Sequence, residues 1–531
     1  MLDCGINPSI SEGESQSDIP ALPFFDLLTR EKDRRLCLPE LQCILISHFH
    51  SDHANGLPSL LMAYEKSGQQ IPPIYMTQQT KDILDDSFSE MLKNDKIFPQ
   101  IPGQERKSQA QKAIDLINQH TQIKAINEPI KFANGLVITP KNAGHVQGAA
   151  MFVIDINNYT VLYTGDYSME KDRTLAQADI PKFSPDILIT EGTYGTLRHH
   201  DRAEREKTFI NKIENVLRSK NGKVLLPVFG VGRVQELLQI IDEEWSAKPE
   251  MKEYNVYFVS ALGEKYSNKM TRHIKYIKNI DPIDRNSPCV VFCTPGMLQS
   301  GASRQLLEQY ATSENNCLLV TGYGATGSLL DKILEAEKSG KHFKFATRQN
   351  GEIEVKMQII AGETVSFSAH SDFQQTSTLL RSLRPKNLVL IHGSRGALKN
   401  LSDKLVSIQK QCQDLVKKEQ VRSYAVENFI TSKEEAEWMA NMTISVPDNG
   451  KKITFYPDSV VKVQYLMTTP LKEVQKRPPP MELYLQQDQL NFKIIDPPSG
   501  EGSVVHVQYG IYCRLKGQQI EQVIKSICGP T

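Results

Sequence analysis

The chain has 531 residues, 40% apolar and 23% charged, with Lys plus Arg matching Asp plus Glu at 62 each. That length accommodates two to four domains, and the zero net charge excludes a nucleic-acid partner recruited by global charge, so any basic surface is local. No run of about 18 apolar residues occurs, so no transmembrane helix and no membrane partner are expected, and no basic stretch with an apolar core opens the chain, so no signal peptide is expected.

Taken in chain order, "CILIS" (43–47), "LVITP" (136–140), "AMFVIDI" (150–156), "TVLYTGD" (160–166) and "DILITE" (186–191) read as buried strands. Asn157 and Asn158, between two of them, signal a hairpin. The polar stretch 64–128 carries helical pieces. From 203 the texture alternates. Phe209, Ile210, Ile213, Val216 and Leu217 lie on one helical face, stopped by Asn221-Gly222. "KVLLPVF" is a strand, and "RVQELLQIIDEEW" is a helix with Val234, Leu237, Leu238, Ile241 and Trp245 on one face. "NVYFVS", "CVVFCT" and "CLLVTGYG" are further strands, an alternation that implies a parallel α/β sheet. "VSFSAHSD" and "NLVLIHGS" return to strand-then-histidine, and a Lys-rich helix runs to about 418. Beyond "PDNG" (447–450) come short strands around the Pro-rich "QKRPPPMEL". The nine scattered cysteines form no Cys-x-x-Cys pair and read as reduced, buried thiols of an intracellular protein.

The densest chemistry is "HFHSDH". His48 and His50, two apart at a strand end, point to one side and can reach one ion. Asp52 and His53 follow at the turn, displaced enough to reach a second. One histidine after a strand is usually structural, but burying three with an aspartate and no metal would be costly. His145, Asp166 and His392 are likewise ligand types placed just past apolar runs, although each taken singly is more often structural.

"LDCG", "HFHSDH", "AGHVQGAAMF" and "YTGDYS" resemble signature motifs of the metallo-β-lactamase superfamily. "TEGTYG", "LPVFGVGRVQELL", "TPGMLQSG", "SFSAHSDFQQT" and "LIHG" resemble its β-CASP branch, whose members cleave nucleic acids. The likeness runs from Met1 to about residue 400. It implies a four-layer αβ/βα metallo-β-lactamase domain built from two separate segments, 1–196 and 363–420. A parallel α/β β-CASP domain is inserted at 197–362, and a small α+β C-terminal domain at 421–531 binds a partner. Family members carry further strands ahead of "LDCG", so N-terminal strands before Met1 are expected to be missing.

The resemblance also implies two zinc ions: His48, His50 and His145 on one, Asp52, His53 and His392 on the other, and Asp166 bridging. His370, oriented by Glu191, would protonate the leaving oxygen, and Asp3 would support the metal loop by hydrogen bonding. "GYGATG" (322–327) spells Gly-x-Gly-x-x-Gly, but it lies too late in the inserted unit to open a dinucleotide-binding half. Gly324 and Arg233 are candidates for RNA contact, with turn and capping chemistry an equal alternative. Gly192 stands where the family prefers Ser, which is expected to loosen that turn, and Ser394 stands where an acid is usual.

The implied function is a zinc-dependent endoribonuclease acting on single-stranded pre-mRNA in 3′-end processing, in the nucleus, within a multi-subunit complex holding a scaffold and a ligand-deficient paralogous subunit. An Integrator-type endonuclease for small nuclear RNA, a β-CASP exonuclease and a non-catalytic scaffold paralogue are the alternatives. Survival of all seven ligand candidates argues against the last, and the inserted domain argues against a small-molecule hydrolase.

Overall fold

The computed structural model describes residues 1–6 and 41–447, short stretches within them excepted, together with isolated strands between 30 and 37 and between 451 and 511. The Asn157-Asn158 hairpin and much of the tail lie outside the described residues.

β1 (Ile44–Leu45), β2 (Ile74–Met76) and β3 (Thr121–Ile123) form a parallel sheet, and Leu2 makes a parallel bridge to Leu45. The crossovers carry α1 (Leu57–Ser67), α2 (Gln78–Lys93) and α3 (Gly103–His120). A second sheet begins with β4 (Ile130–Lys131), β5 (Val137–Asn142), β6 (Ala150–Ile156) and β7 (Tyr159–Tyr163), all antiparallel neighbours. Then β8 (Ile187–Glu191) joins β7 in parallel.

The chain next leaves this sheet for a six-stranded one. Its elements are α4 (Arg202–Glu214), β9 (Val224–Pro227), α5 (Arg233–Ala247), β10 (Asn255–Val259), α6 (Ala261–Ser267), β11 (Ile274–Ile277), β12 (Cys289–Cys293), α7 (Gly301–Tyr310), β13 (Cys317–Leu319), α8 (Leu329–Lys338) and β14 (Gln358–Ile360). The order is β11-β10-β12-β9-β13-β14, and every pairing is parallel. Period-two alternation explains its two covered faces. Leu226, Phe258 and Phe292 pack with Phe209 and Leu237 of α4 and α5, while Leu225, Tyr257 and Val291 pack with Leu306 and Ile333 of α7 and α8.

After α9 (Phe373–Leu383), β15 (Asn387–Ile391) returns to lie directly beside β8, pairing Glu191 with Ile391. Then α10 (Arg395–Val416), α11 (Lys433–Asn441) and β16 (Thr443–Ser445) close the seven-stranded sheet. The same alternation makes four layers. Leu45 and Tyr75 of the small sheet meet Phe152, Tyr163, Ile189 and Val389 of the large one. Their neighbours Ile44 and Met76 face α1–α3, and Val153, Leu188 and Leu390 face α9 and α10.

The stretch 365–372 departs from the expected strand. Val365 and Phe367 are buried in the core of the six-stranded sheet, but no ladder forms there. Alternating apolar and polar residues without a neighbouring edge produced the strand-like pattern, and His370 lies in a loop ahead of α9. Gly192 also differs from expectation. A Cβ there would meet Leu398 Cδ2 at 2.7 Å and Leu401 Cδ2 at 3.2 Å, so the turn is packed against α10 rather than loosened. Ser394 accepts from Ala397 N–H and caps α10. The six cysteines whose side chains are described are all buried and free, consistent with unpaired thiols.

Candidate metal centre

Carboxyl ends of strands from both halves of the first domain meet at one point. β1 runs on to His48, β7 to Asp166 and β15 to His392, and β8 ends on Glu191. His145 arrives from the loop between β5 and β6. Asp52 and His53 sit in one helical turn, Ser51–Ala54, just before α1.

His48 Nε2 lies 2.9 Å from His50 Nδ1, which lies 3.2 Å from His145 Nε2. Three ligands around a tetrahedral zinc would stand about 3.3 Å apart. Burial, reinforced by the neighbouring imidazoles, holds His48 well below its ordinary value. Burial also lowers His50, to about 4, and holds His145 well below the usual range. All three are therefore neutral at pH 7, as ligation requires.

Asp52 Oδ2 lies 3.3 Å from His392 Nε2 and 3.7 Å from His53 Nε2. Asp166 stands between the two groups. Its Oδ2 is 3.6 Å from both His48 and His145 Nε2 and 3.3 Å from His53 Nε2, and its Oδ1 is 3.5 Å from His392 Nδ1. Both Asp166 oxygens and His53 Nε2 are buried with no well-formed hydrogen bond among the described residues. Orphaned acceptors and an orphaned imidazole nitrogen aimed at one space are what a cation would satisfy. Burial alone would raise the two carboxyls, but the facing histidines hold Asp52 and Asp166 below the usual carboxylate range. Burial likewise opposes charge on His53 and His392, yet Asp166 and Asp52 lift both, His392 to about 10. A cation held there would take the place of those protons.

The non-ligating nitrogens are held from behind. Asp3, 1% exposed, accepts from His53 Nδ1 (2.7 Å), Tyr163 Oη (2.6 Å), Ser47 Oγ (2.7 Å) and Ser47 N–H (2.6 Å). His145 Nδ1 faces the Ala369 carbonyl at 2.9 Å, and His48 Nδ1 faces Ser47 Oγ at 3.0 Å. Such partners fix tautomer and ring orientation. His370 Nδ1 lies 2.9 Å from Glu191 Oε2 and 3.7 Å from Asp166 Oδ2. Burial would lower its pKa, but Glu191 and then Asp166 outweigh this and raise it.

Above the cluster opens a solvent-connected cavity, walled by His50, His145 and His370 below and by Phe229, Met297 and Thr321 above. The last three follow the carboxyl ends of β9, β12 and β13, so the strand ends of the inserted sheet face the candidate ligands. Phe229 is 47% exposed, its ring 5.5 Å from that of His50. Arg233 lines the cavity. Its Nη1 pairs with Asp172, while Nε and Nη2 are buried without a partner among the described residues. Gly324 packs instead on the start of α8, where a Cβ would lie 2.9 Å from Asp331 Cα, and Gly322 lines the cavity in its place. The whole "HFHSDH" set, His145, Asp166, Glu191, His370, His392 and Asp3 thus converge. Ser47, Tyr163, Thr193 and Phe229 were not foreseen; the adjacency of Ser47 to His48 and the place of Thr193 two residues past Glu191 were the available signals.

Comparison with known proteins agrees with this geometry. Residues 25–217 match the sequence model of the metallo-beta-lactamase superfamily domain, 234–333 that of the Beta-Casp domain, and 352–413 that of the Zn-dependent metallo-hydrolase RNA specificity domain. An endoribonuclease of Yarrowia lipolytica is 36% identical over 77% of this chain and 48% of its own length. The cleavage and polyadenylation specificity factor subunit 3 of Dictyostelium discoideum is 35% identical over 77% and 52%. The cleavage and polyadenylation specificity factor 73 of Drosophila melanogaster is 32% identical over 86% and 65%. The chain spans about half the length of the first two. The matched superfamily implies bound metal ions, and the clustered His and Asp side chains accord with that.

Proposed function

Because the chain belongs to the Beta-Casp branch of the metallo-beta-lactamase superfamily, we propose that it is a zinc-dependent endoribonuclease cleaving single-stranded pre-mRNA in 3′-end processing. The observation that carries the reading is Asp166, one buried carboxylate shared by two ligand groups, next to the histidines His145 and His370 that line a cavity. In this reading His48, His50 and His145 would hold one zinc, Asp52, His53 and His392 would hold the other, and Asp166 would be available to both. Bound there, two zinc ions would supply a hydroxide at neutral pH and neutralise charge on a phosphodiester.

The remaining chemistry belongs to the protein. His370, kept protonated by Glu191, gives its proton to the leaving oxygen. Asp3 holds His53 with Nε2 toward the metal. The unpartnered nitrogens of Arg233 suit a phosphate, since guanidinium binds phosphate oxygens in pairs. The insertion of a unit at 197–362 between 1–196 and 363–420 is supported by the adjacency of β8 and β15, between which the six-stranded sheet lies. However, β16 pairs with β15 and α11 packs in the same core, so the first domain runs past the expected boundary at 420 to about 445 rather than yielding to a unit at 421–531.

The relatives' names support the cleavage-and-polyadenylation type over the Integrator type. With it come a nuclear location and a multi-subunit complex containing a ligand-deficient paralogue that pairs with the C-terminal region. The test is cleavage of a labelled single-stranded RNA by the protein in its complex. Wild type cuts internally and leaves a 3′-hydroxyl on the upstream product, and Asp52→Ala with His53→Ala abolishes cutting while circular dichroism is retained. Undiminished cutting by that variant contradicts the proposal.

A further inference from the structure

Resting on that reading, we infer that Thr193 is a positioning residue, through which the single carboxylate of Glu191 fixes a metal ligand, His392, as well as the proton donor His370. Glu191 is fully buried at the end of β8. Its Oε1 accepts the backbone N–H of Tyr167 at 2.9 Å, so the carboxylate is pinned on that side. Its Oε2 faces His370 Nδ1 at 2.9 Å and accepts the Thr193 hydroxyl at 2.5 Å. The same hydroxyl oxygen lies 2.9 Å from His392 Nδ1.

A hydroxyl has one proton and two lone pairs. With that proton given to Glu191, the Thr193 oxygen can only accept, and the nearer donor it faces is His392 Nδ1–H; His370 Nδ1 is farther, at 3.4 Å, and is already committed to Glu191. This selects one tautomer of the ring and leaves His392 Nε2 as the ligand atom, on the side of Asp52 Oδ2 at 3.3 Å. Asp166 Oδ1, 3.5 Å from the same Nδ1, is the longer alternative, and the His392 carbonyl, 3.4 Å from the hydroxyl, is a longer acceptor than Glu191.

The backbone around Thr193 supports the same histidine. His392 has φ +50°, a left-handed conformation uncommon for a side chain of this size. Gly192 N–H donates to its carbonyl at 3.0 Å and to that of Ile391 at 2.8 Å. The turn after β8 therefore holds both the main chain and the ring of His392. The spacing Glu-x-Thr serves two histidines with one carboxylate: His370 directly, and His392 through a hydroxyl.

The test is competition between the zinc-loaded protein and a chelator, resolving the tighter and weaker ions, for wild type, Thr193→Val and Thr193→Ser. Valine keeps the shape and removes the hydroxyl, whereas serine keeps the hydroxyl. Thr193→Val is expected to weaken one of two ions by about 10–100-fold, leaving the other near its wild-type affinity, and Thr193→Ser is expected to restore both to near wild type. If Thr193→Val holds both ions as tightly as wild type, or if serine is as weak as valine, the coupling is wrong although the metal reading stands. A wild type that takes up no zinc overturns the metal reading and this coupling with it.

Discussion

Gly5 has no room for a side chain. A Cβ there would fall 1.8 Å from the carbonyl oxygen of Asp52 and 2.5 Å from the nitrogen of His53. Its backbone lies flush against the peptide that carries two candidate ligands, and the neighbouring Cys4 N–H donates to the His53 carbonyl at 2.6 Å. Gly5→Ala must therefore push the Asp52–His53 turn outward. We expect it to cost about 1–3 kcal/mol in denaturant unfolding and to lower zinc content. A variant with wild-type stability and metal load would show that the turn is not held this way. At this scale the sequence was informative where partners are close in sequence. "HFHSDH" spells four candidate ligands because a strand end and one helical turn present them together. The Thr193 hydroxyl was not legible, because His370 and His392 lie 177 and 199 residues beyond it.

At the scale of elements, strands were legible and their absence was not. The five apolar runs of the first domain became β1 and β5–β8; β1, β6 and β8 are buried on both faces, which needs continuous apolar sequence. The run at 365–372 alternates apolar and polar residues as a half-buried strand would but finds no strand edge. Helix-to-helix contacts were also hidden. Asp86 of α2 accepts from Lys265 Nζ at 2.6 Å and from Tyr266 Oη at 2.6 Å, tying the first domain to α6 of the inserted one. Burial alone would raise the Asp86 carboxyl, but these two donors outweigh it and lower the pKa. A carboxyl whose pKa is lowered on folding adds stability above its unfolded value near 4 and loses it as pH falls through the folded value. Half-exposed pairs of this kind contribute about 0.2–1 kcal/mol. Asp86→Asn should therefore be less stable than wild type by about that much at pH 7, and the gap should close as pH is lowered toward 3. A gap that widens on acidification would contradict the assignment.

At the scale of the whole molecule, two parallel-strand edges face each other. The large sheet offers Asp166, Glu191 and His392 from its carboxyl edge, and the inserted sheet offers Phe229, Met297 and Thr321 from its own, where they line a cavity together with His50, His145 and His370. This follows from topology. The insertion leaves after β8 and returns at β15, its neighbour, so it is anchored at the edge where the candidate ligands lie. The two-unit arrangement was legible from the change to strand–helix alternation near 203. The facing of the two edges was not, because no local pattern encodes contacts between distant strand ends. The account depends most on the cluster holding two ions in separable ligand groups. Metal analysis of purified wild type, His145→Ala and His370→Ala tests this most directly. The account predicts two zinc ions per chain in wild type, one in His145→Ala and two in His370→Ala. A single ion in wild type, or unchanged stoichiometry in His145→Ala, would contradict it.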